Sequence, residues 1–181
     1  MTSSPRGYFG IGVERISKPM NLGALLRTAH AFGASFAFTV DAAFPAREVR
    51  LSDTSDSADH LPLYEAPTIE ALTLPKGCVL VGVELTEDAV DLPSFRHPLS
   101  AAYILGPERG SLSPEAQARC AHLVKIPTKF CINVSLAGAL VMYDRVTSLQ
   151  RFAPRPLRPG GPTEALERQR HGEQKFRREE N

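Results

Sequence analysis

Short apolar runs alternate along this chain with segments of helical period. Tyr8 to Val13, Ser35 to Val40, Cys78 to Val83, Ala101 to Leu105 and His122 to Ile126 are almost continuously apolar and are bounded by turn residues. Runs of this length without polar alternation predict strands buried on both faces, as in parallel sheets. Between them, Leu22, Leu25, Leu26, Ala29 and Phe32 recur at helical spacing after Asn21 and stop at Gly33. That pattern predicts a helix N-capped by Asn21, whose side-chain oxygen can accept from the free N–H groups of a first turn. Ser113-Pro114-Glu115 predicts a second helix, with Pro in its first position, reaching about Arg119. Asn133 to Arg151 predicts a third, apolar on nearly every side through Leu140-Val-Met-Tyr143 and therefore central or buried in an interface. Ala46 to Ser57 is polar and shows no period.

Strands alternating with helices predict an α/β fold, a mostly parallel sheet with helices on both faces. The composition changes after Phe152, at Ala-Pro-Arg-Pro-Leu-Arg-Pro-Gly-Gly-Pro. The chain therefore divides into a domain over 1–152 and a Pro/Arg-rich tail over 153–181, flexible or ordered only on a partner. The tail holds seven basic residues against five acidic ones, so the rest of a chain of net charge +1 sits near −1. Any nucleic-acid surface on the main domain must then be a local patch. The three cysteines, Cys78, Cys120 and Cys131, have no CxxC spacing and read as reduced thiols. The five histidines are scattered without metal-ligand spacing, so no metal is expected. No run approaches a membrane span, and Met1 to Phe9 lacks the apolar region of a signal peptide, so a cytoplasmic protein is expected.

Candidate chemistry gathers where strands end. Leu105-Gly-Pro-Glu-Arg-Gly-Ser-Leu-Ser113 follows a buried strand, and its glycines let a flat ligand approach the backbone. Glu108 within it either orients a hydroxyl or amino group or is merely solvated. Thr128-Lys-Phe-Cys131 leads into Asn133 and Ser135, again a strand, a loop and a helix cap. Two such loops at adjacent strand ends would form one crevice at the carboxyl edge of the sheet, where open α/β sheets hold ligands. Arg27, at the edge of the first helix's apolar stripe, is either a surface residue or a bidentate phosphate ligand.

Three blocks, in this order, resemble the three motifs of the SpoU/TrmH branch of the SPOUT RNA methyltransferases. Asn21-x5-Arg27 continuing to Phe32-Gly33-Ala34 resembles the first, Ile104 to Ser113 the second, and Ile126-Pro127 with Ile132-Asn-Val-Ser135 and the helix to Arg145 the third. The resemblance spans roughly residues 8–151. It implies a trefoil-knotted domain, an exception to the usual unknotted topology. It also implies S-adenosyl-L-methionine as cofactor and a homodimer whose site is completed by the second subunit. The reaction implied is methyl transfer to a ribose 2′-hydroxyl of tRNA or rRNA. Position by position, Arg27 matches the catalytic arginine, while Asn21, Glu108 and Asn133 match residues that shape the site. Gly106, Ile126 and Ile132 fall where the cofactor is gripped, with Val83, Leu105, Gly110, Cys131, Ser135 and Leu136 beside them. Cys131 stands where many members have Ser, and a thiol is the weaker hydrogen-bond partner. A non-catalytic RNA- or nucleotide-binding protein of the same fold, or an enzyme methylating a base nitrogen, are the alternative readings.

Overall fold

The structure is a computed structural model, and it describes residues 7–45, 61–150, 152, 155–156 and 159–161. The polar segment 46–57 and most of the tail thus lie outside the described residues. Residues Met1–Gln150 cluster into one compact unit. In chain order its elements are β1 (Tyr8–Glu14), α1 (Pro19–Ala31), β2 (Phe36–Val40), β3 (Leu63–Ala66), β4 (Val79–Val83), β5 (Val90–Asp91), β6 (Ser100–Leu105), α2 (Pro114–Arg119), β7 (His122–Lys125) and α3 (Val134–Leu149). A short 3-10 turn, Leu92–Ser94, follows β5.

The strands form one sheet in the order β3-β2-β1-β6-β4-β7-β5, and every pairing in it is parallel. The five predicted strands are its interior. The two that the hydrophobic pattern did not reveal, β3 and β5, are its edges. Both are largely solvent-exposed and so have no apolar run to betray them. Helices cover both faces. α1 and α3 pack with Ile11, Val13, Tyr103 and Val124 in one core layer, while α2 closes the other over Phe36, Phe38, Leu80 and Ile104. The side-chain period of two along β1 explains the split: Phe9, Ile11 and Val13 face the first layer, and Gly10 and Gly12 the second. The rings of Phe36 and Phe38, stacked 6.1 Å apart, lie directly over those two glycines, where a Cβ would strike them. On α3, a Cβ at Gly138 would run into Leu25, so the two helices meet backbone to side chain at that point.

One helix start differs from the expectation. α1 begins at Pro19, and Lys18 in the N-cap position makes no side-chain cap bond. Proline's fixed φ suits the first helical position, which moves Asn21 into the first turn and frees its side chain for other partners. Asn21 is therefore not the cap. Asn133 does cap α3, accepting from Ser135 N at 2.9 Å. Ser113 caps α2, accepting from Ala116 N at 3.1 Å. α3 ends at Leu149, short of Arg151.

At the amino edge of the sheet a polar chain is buried. Arg145 on α3 is 1% exposed. It donates to Pro98 O at 2.6 Å, to Leu99 O at 2.7 Å and to the Tyr103 hydroxyl at 3.0 Å, and it lies 4.9 Å from the Phe9 ring centroid. His97 contacts Tyr103 Oη through Nδ1 (2.6 Å) and Asp144 Oδ2 through Nε2 (2.8 Å). Burial lowers the His97 pKa more than Asp144 raises it, so the ring is neutral. A neutral ring leaves one consistent arrangement: the Tyr103 hydroxyl donates to Nδ1 and Nε2–H donates to Asp144. Tyr103 and His97 thereby relay the Arg145 charge to Asp144. The half-buried thiols of Cys78 and Cys120 are both pushed up by burial, Cys120 to about 12, and are unreactive packing groups. Among the described residues no helix is long and apolar enough to cross a membrane, and no three His, Cys, Asp or Glu gather as a metal site.

Two outcomes follow from these contacts. Gly12→Val, which drives a side chain into the Phe38 ring and backbone, should destabilise the domain by about 1–3 kcal/mol or more in chemical denaturation. Because the folded His97 pKa is depressed below 6.5, its contribution is complete above that value. It is lost as pH falls from there through the folded value. Denaturation midpoints between pH 8 and pH 5 should decline less steeply in His97→Gln than in the parent chain.

Candidate active site

Parallel strands present their carboxyl ends at one edge. There the loops after β1, β4, β6 and β7 converge, in the spatial order β1-β6-β4-β7. The loops after β6 and β7 are not on neighbouring strands as expected, because β4 lies between them and adds its own end to the site. A cleft enclosing ≈ 550 Å³ of space, partly open to solvent, runs across these ends. Val83, Leu105, Gly106, Gly110, Ile126, Cys131 and Ile132 line it, together with Glu84, Leu85, Pro107, Thr128, Val134 and Ala137. Ser135 and Leu136 are not in the lining. The Ser135 hydroxyl donates to Asn133 Oδ1 at 2.6 Å, and Leu136 is 60% exposed on α3.

The cleft wall is shaped by close backbone approach. A Cβ at Gly106 would sit 3.1 Å from Leu112 N and 3.3 Å from Ser111 C, so the loop folds back over this residue and would have to give by a few tenths of an ångström to admit a side chain. Gly110, at φ +98, supplies a left-handed turn within the same loop. Two carboxylates that the sequence did not single out hold the loop down. Glu84 accepts from Leu112 N at 2.7 Å and from Leu85 N at 2.9 Å. Glu14, buried at the end of β1, accepts from Ser113 N at 2.7 Å and from its hydroxyl at 2.5 Å. Each is a lone acid after an apolar run, and only the fold gives it a partner.

Glu108 is neither free to orient a ligand nor merely solvated. Its Oε2 accepts from Ser17 N and Ser17 Oγ, and its Oε1 accepts from Lys18 N and Asn21 Nδ2, all at 3.0 Å. Partial burial raises its pKa, but these donors outweigh burial and the group ends below the ordinary carboxylate value. Asn133 Nδ2 in turn donates to Asn21 Oδ1 at 3.1 Å. A continuous chain of hydrogen bonds, Glu108–Asn21–Asn133, thus joins the three segments that carry the sequence motifs. Arg27 is not brought to this chain. It is exposed on α1, about 9 Å further along the helix axis, and its guanidinium has no partner among the described residues. It shares an outward face with Met20, Ala24 and Ala31, spaced as on one side of a helix. On the neighbouring helix Leu136, Leu140 and Tyr143 are likewise exposed along one face.

Comparison with known proteins bears on the same segments. The profile of the SpoU rRNA Methylase family matches residues 9–143. The mouse tRNA (guanosine(18)-2′-O)-methyltransferase TARBP1 is 30% identical over 138 residues, which make up 71% of this chain and 9% of that protein. The tRNA (guanosine(18)-2′-O)-methyltransferase of Thermus thermophilus is 29% identical over 140 residues, 73% of this chain and 71% of the relative. An AdoMet-bound rRNA methyltransferase from Sinorhizobium meliloti superposes with a TM-score of 0.71 at 23% identity, covering 83% of this chain and 62% of the other. The SpoU methyltransferase AviRb of Streptomyces viridochromogenes, in complex with AdoMet, gives 0.67 at 24% identity, covering 78% and 57%. At these identities the two structures establish a shared fold. The chain spans under a tenth of the mouse protein and about three fifths of the two solved chains.

The two roles of the Asn133 amide can be separated experimentally. Asn133→Ala removes both the cap and the bond to Asn21, and should cost about 0.5–2 kcal/mol in chemical denaturation. Asn133→Asp keeps an acceptor for Ser135 N and should cost less, while still losing the donor to Asn21.

Proposed function

On the premise that this chain belongs to the SpoU rRNA methylase family, we propose that it is an S-adenosylmethionine-dependent RNA methyltransferase acting on a ribose 2′-hydroxyl of tRNA or rRNA. The observation that carries this reading is the cleft itself. Three motif-bearing loops meet at the carboxyl edge of a parallel sheet and are latched together by Glu108, Asn21 and Asn133. The named relatives methylate tRNA at that hydroxyl. The family fold implies that these loops belong to a trefoil knot. The methyltransferase domain is residues 1–152, with the basic tail 153–181 available for phosphate contacts. The reading places the protein in the cytoplasm with its RNA.

The cleft suits the cofactor. Its lining is largely apolar, with Val83, Leu105, Ile126, Ile132 and Val134, and Gly106 and Gly110 leave main chain bare beside it. Gly106, Ile126 and Ile132 would hold the cofactor largely through main chain, with Val83, Leu105 and Gly110 packing around it. When bound, the cofactor supplies an electrophilic methyl group on a sulfonium sulfur, and the accepting ribose oxygen gives up its proton. Cys131 at the cleft mouth offers a weaker polar contact than a hydroxyl would. Methyl transfer to oxygen requires no covalent enzyme adduct, so the thiol has no nucleophilic role.

Arg27 acts by holding a phosphate and orienting the ribose, since a guanidinium stays charged at neutral pH and is a poor base. Within one chain it does not line the cleft, which a second subunit resolves. The exposed faces of α1 and α3, with Met20, Leu136, Leu140 and Tyr143, form an apolar surface suited to a homodimer. Pairing there brings the partner's arginine toward the site.

Three experiments test the reading. Incubation with methyl-labelled cofactor and bulk tRNA or rRNA, followed by nucleoside mass spectrometry, should find the label on ribose. Label on a base would move the assignment to base methylation, and no cofactor binding in calorimetry would leave a binding protein. Arg27→Ala should fold normally and lose transfer by about 10²–10³-fold; full activity would remove Arg27 from the reaction. Leu136→Asp with Leu140→Asp should convert a dimer to a monomer in light scattering and abolish transfer along with it.

A further inference from the structure

A second recess opens beside the cleft, between the loop after β1 and the loop after β6. We propose that it is a binding site for the phosphodiester backbone of the RNA substrate, formed by Arg15, Lys18 and Arg109. The inference rests on the RNA-methyltransferase reading and deepens it by assigning where the strand flanking the target nucleotide is held.

The recess encloses ≈ 880 Å³ of solvent-open space, and three of its six lining residues are cations. The one acid in its wall, Glu108, offsets one of them and leaves the lining at a net +2. Both of its oxygens are occupied by Ser17, Lys18 N and Asn21 Nδ2, and no ion pair joins it to the three cations among the described residues. Its oxygens are turned toward the loop and the first turn of α1 rather than toward the cationic side chains. The side chains of Lys18 and Arg109 are exposed and without a hydrogen-bond or ion-pair partner among the described residues. In a chain of net charge +1, three cations against one acid around one open space are a local excess that suits a polyanion.

Arg15 shows that the arrangement is built rather than incidental. Its backbone is left-handed, at φ 51, a conformation that costs a side-chain-bearing residue on the order of 1–2 kcal/mol. Its Nη2 donates to Ser111 O at 2.7 Å, and Nε stands 3.9 Å from Glu14. That leaves the guanidinium pinned across the recess, 45% exposed, with N–H groups to spare. A fixed guanidinium fork with an exposed lysine and a second arginine is the donor set that phosphate oxygens accept from. The recess shares Pro107 with the cleft, and Glu108 ties it to Asn21. A phosphate held here therefore lies on the strand next to the nucleotide presented to the cleft.

The test uses the full-length protein and deproteinised bulk tRNA, with affinity followed by anisotropy between about 50 and 300 mM KCl. Lys18→Ala with Arg109→Ala should weaken binding about tenfold or more at low salt and reduce the log–log salt slope by about 1–2. Lys18→Arg with Arg109→Lys should restore the slope. Lys76→Ala, at the amino end of β4 on the opposite edge, should leave it unchanged. Melting temperature and calorimetric cofactor binding should be the same in all variants. An unaltered slope in the double alanine variant, with parent protein binding tRNA normally, overturns the subsite alone. A slope reduced as much by Lys76→Ala makes the effect one of overall charge and also overturns it. A parent protein with no affinity for bulk tRNA or for deproteinised bulk rRNA, seen before any variant is made, instead removes the RNA reading beneath it.

Discussion

The Glu108 carboxylate is the constraint on which the geometry of the site depends. Its four acceptor positions are filled by donors from the loop after β1 and the first turn of α1, and Asn21 passes the connection to Asn133 at the start of α3. One ionised group thus fixes three loops relative to one another. Hydrogen bonds to a charged acceptor are stronger than neutral ones, and here they fix the backbone that enters α1. The sheet makes this feasible. Parallel pairing in register brings the ends of β1, β6, β4 and β7 to one edge, so short loops suffice to reach across.

The two edges of the sheet do different work. At the carboxyl edge, carboxylates Glu14, Glu84 and Glu108 take up backbone N–H groups and hold open loops in place around a cleft. At the amino edge, Arg145, Tyr103, His97 and Asp144 form a closed chain in which nearly every donor has an acceptor. Only the Arg145 Nε lacks one. Breaking a buried charge network by removing one member is strongly destabilising, so this chain anchors α3 to β6 and to the segment before it. The same helix begins at Asn133, in the site. Anchoring its far end keeps the capping end where Asn21 can reach it.

Much of this was legible. The continuous apolar runs gave the five interior strands, and Gly33, at φ +74, ended α1 where the helical period stopped. The ordered motif blocks pointed to the three loops that do converge. The edge strands β3 and β5 were not legible, because an edge strand is stabilised by backbone pairing and needs no apolar pattern. Asn21 precedes an apolar stripe, and in that place Asn is usually a cap. Pro19 two residues earlier decided otherwise, and the amide became a bridge.

The chain's own pattern determined what depends on neighbours in sequence: strand and helix periods, the caps at Ser113 and Asn133, and the small residues at 106 and 110 that let a loop fold on itself. The tertiary structure alone decided what depends on residues some ninety or a hundred positions apart. Glu108 against Ser17, Glu14 against Ser113 and Asn133 against Asn21 are pairings no local rule can supply. Nor can it supply the gathering of Arg15, Lys18 and Arg109 around one recess. Local propensity acts over a few residues, whereas polar groups far apart in sequence find their partners only after the sheet has set the order of its strands.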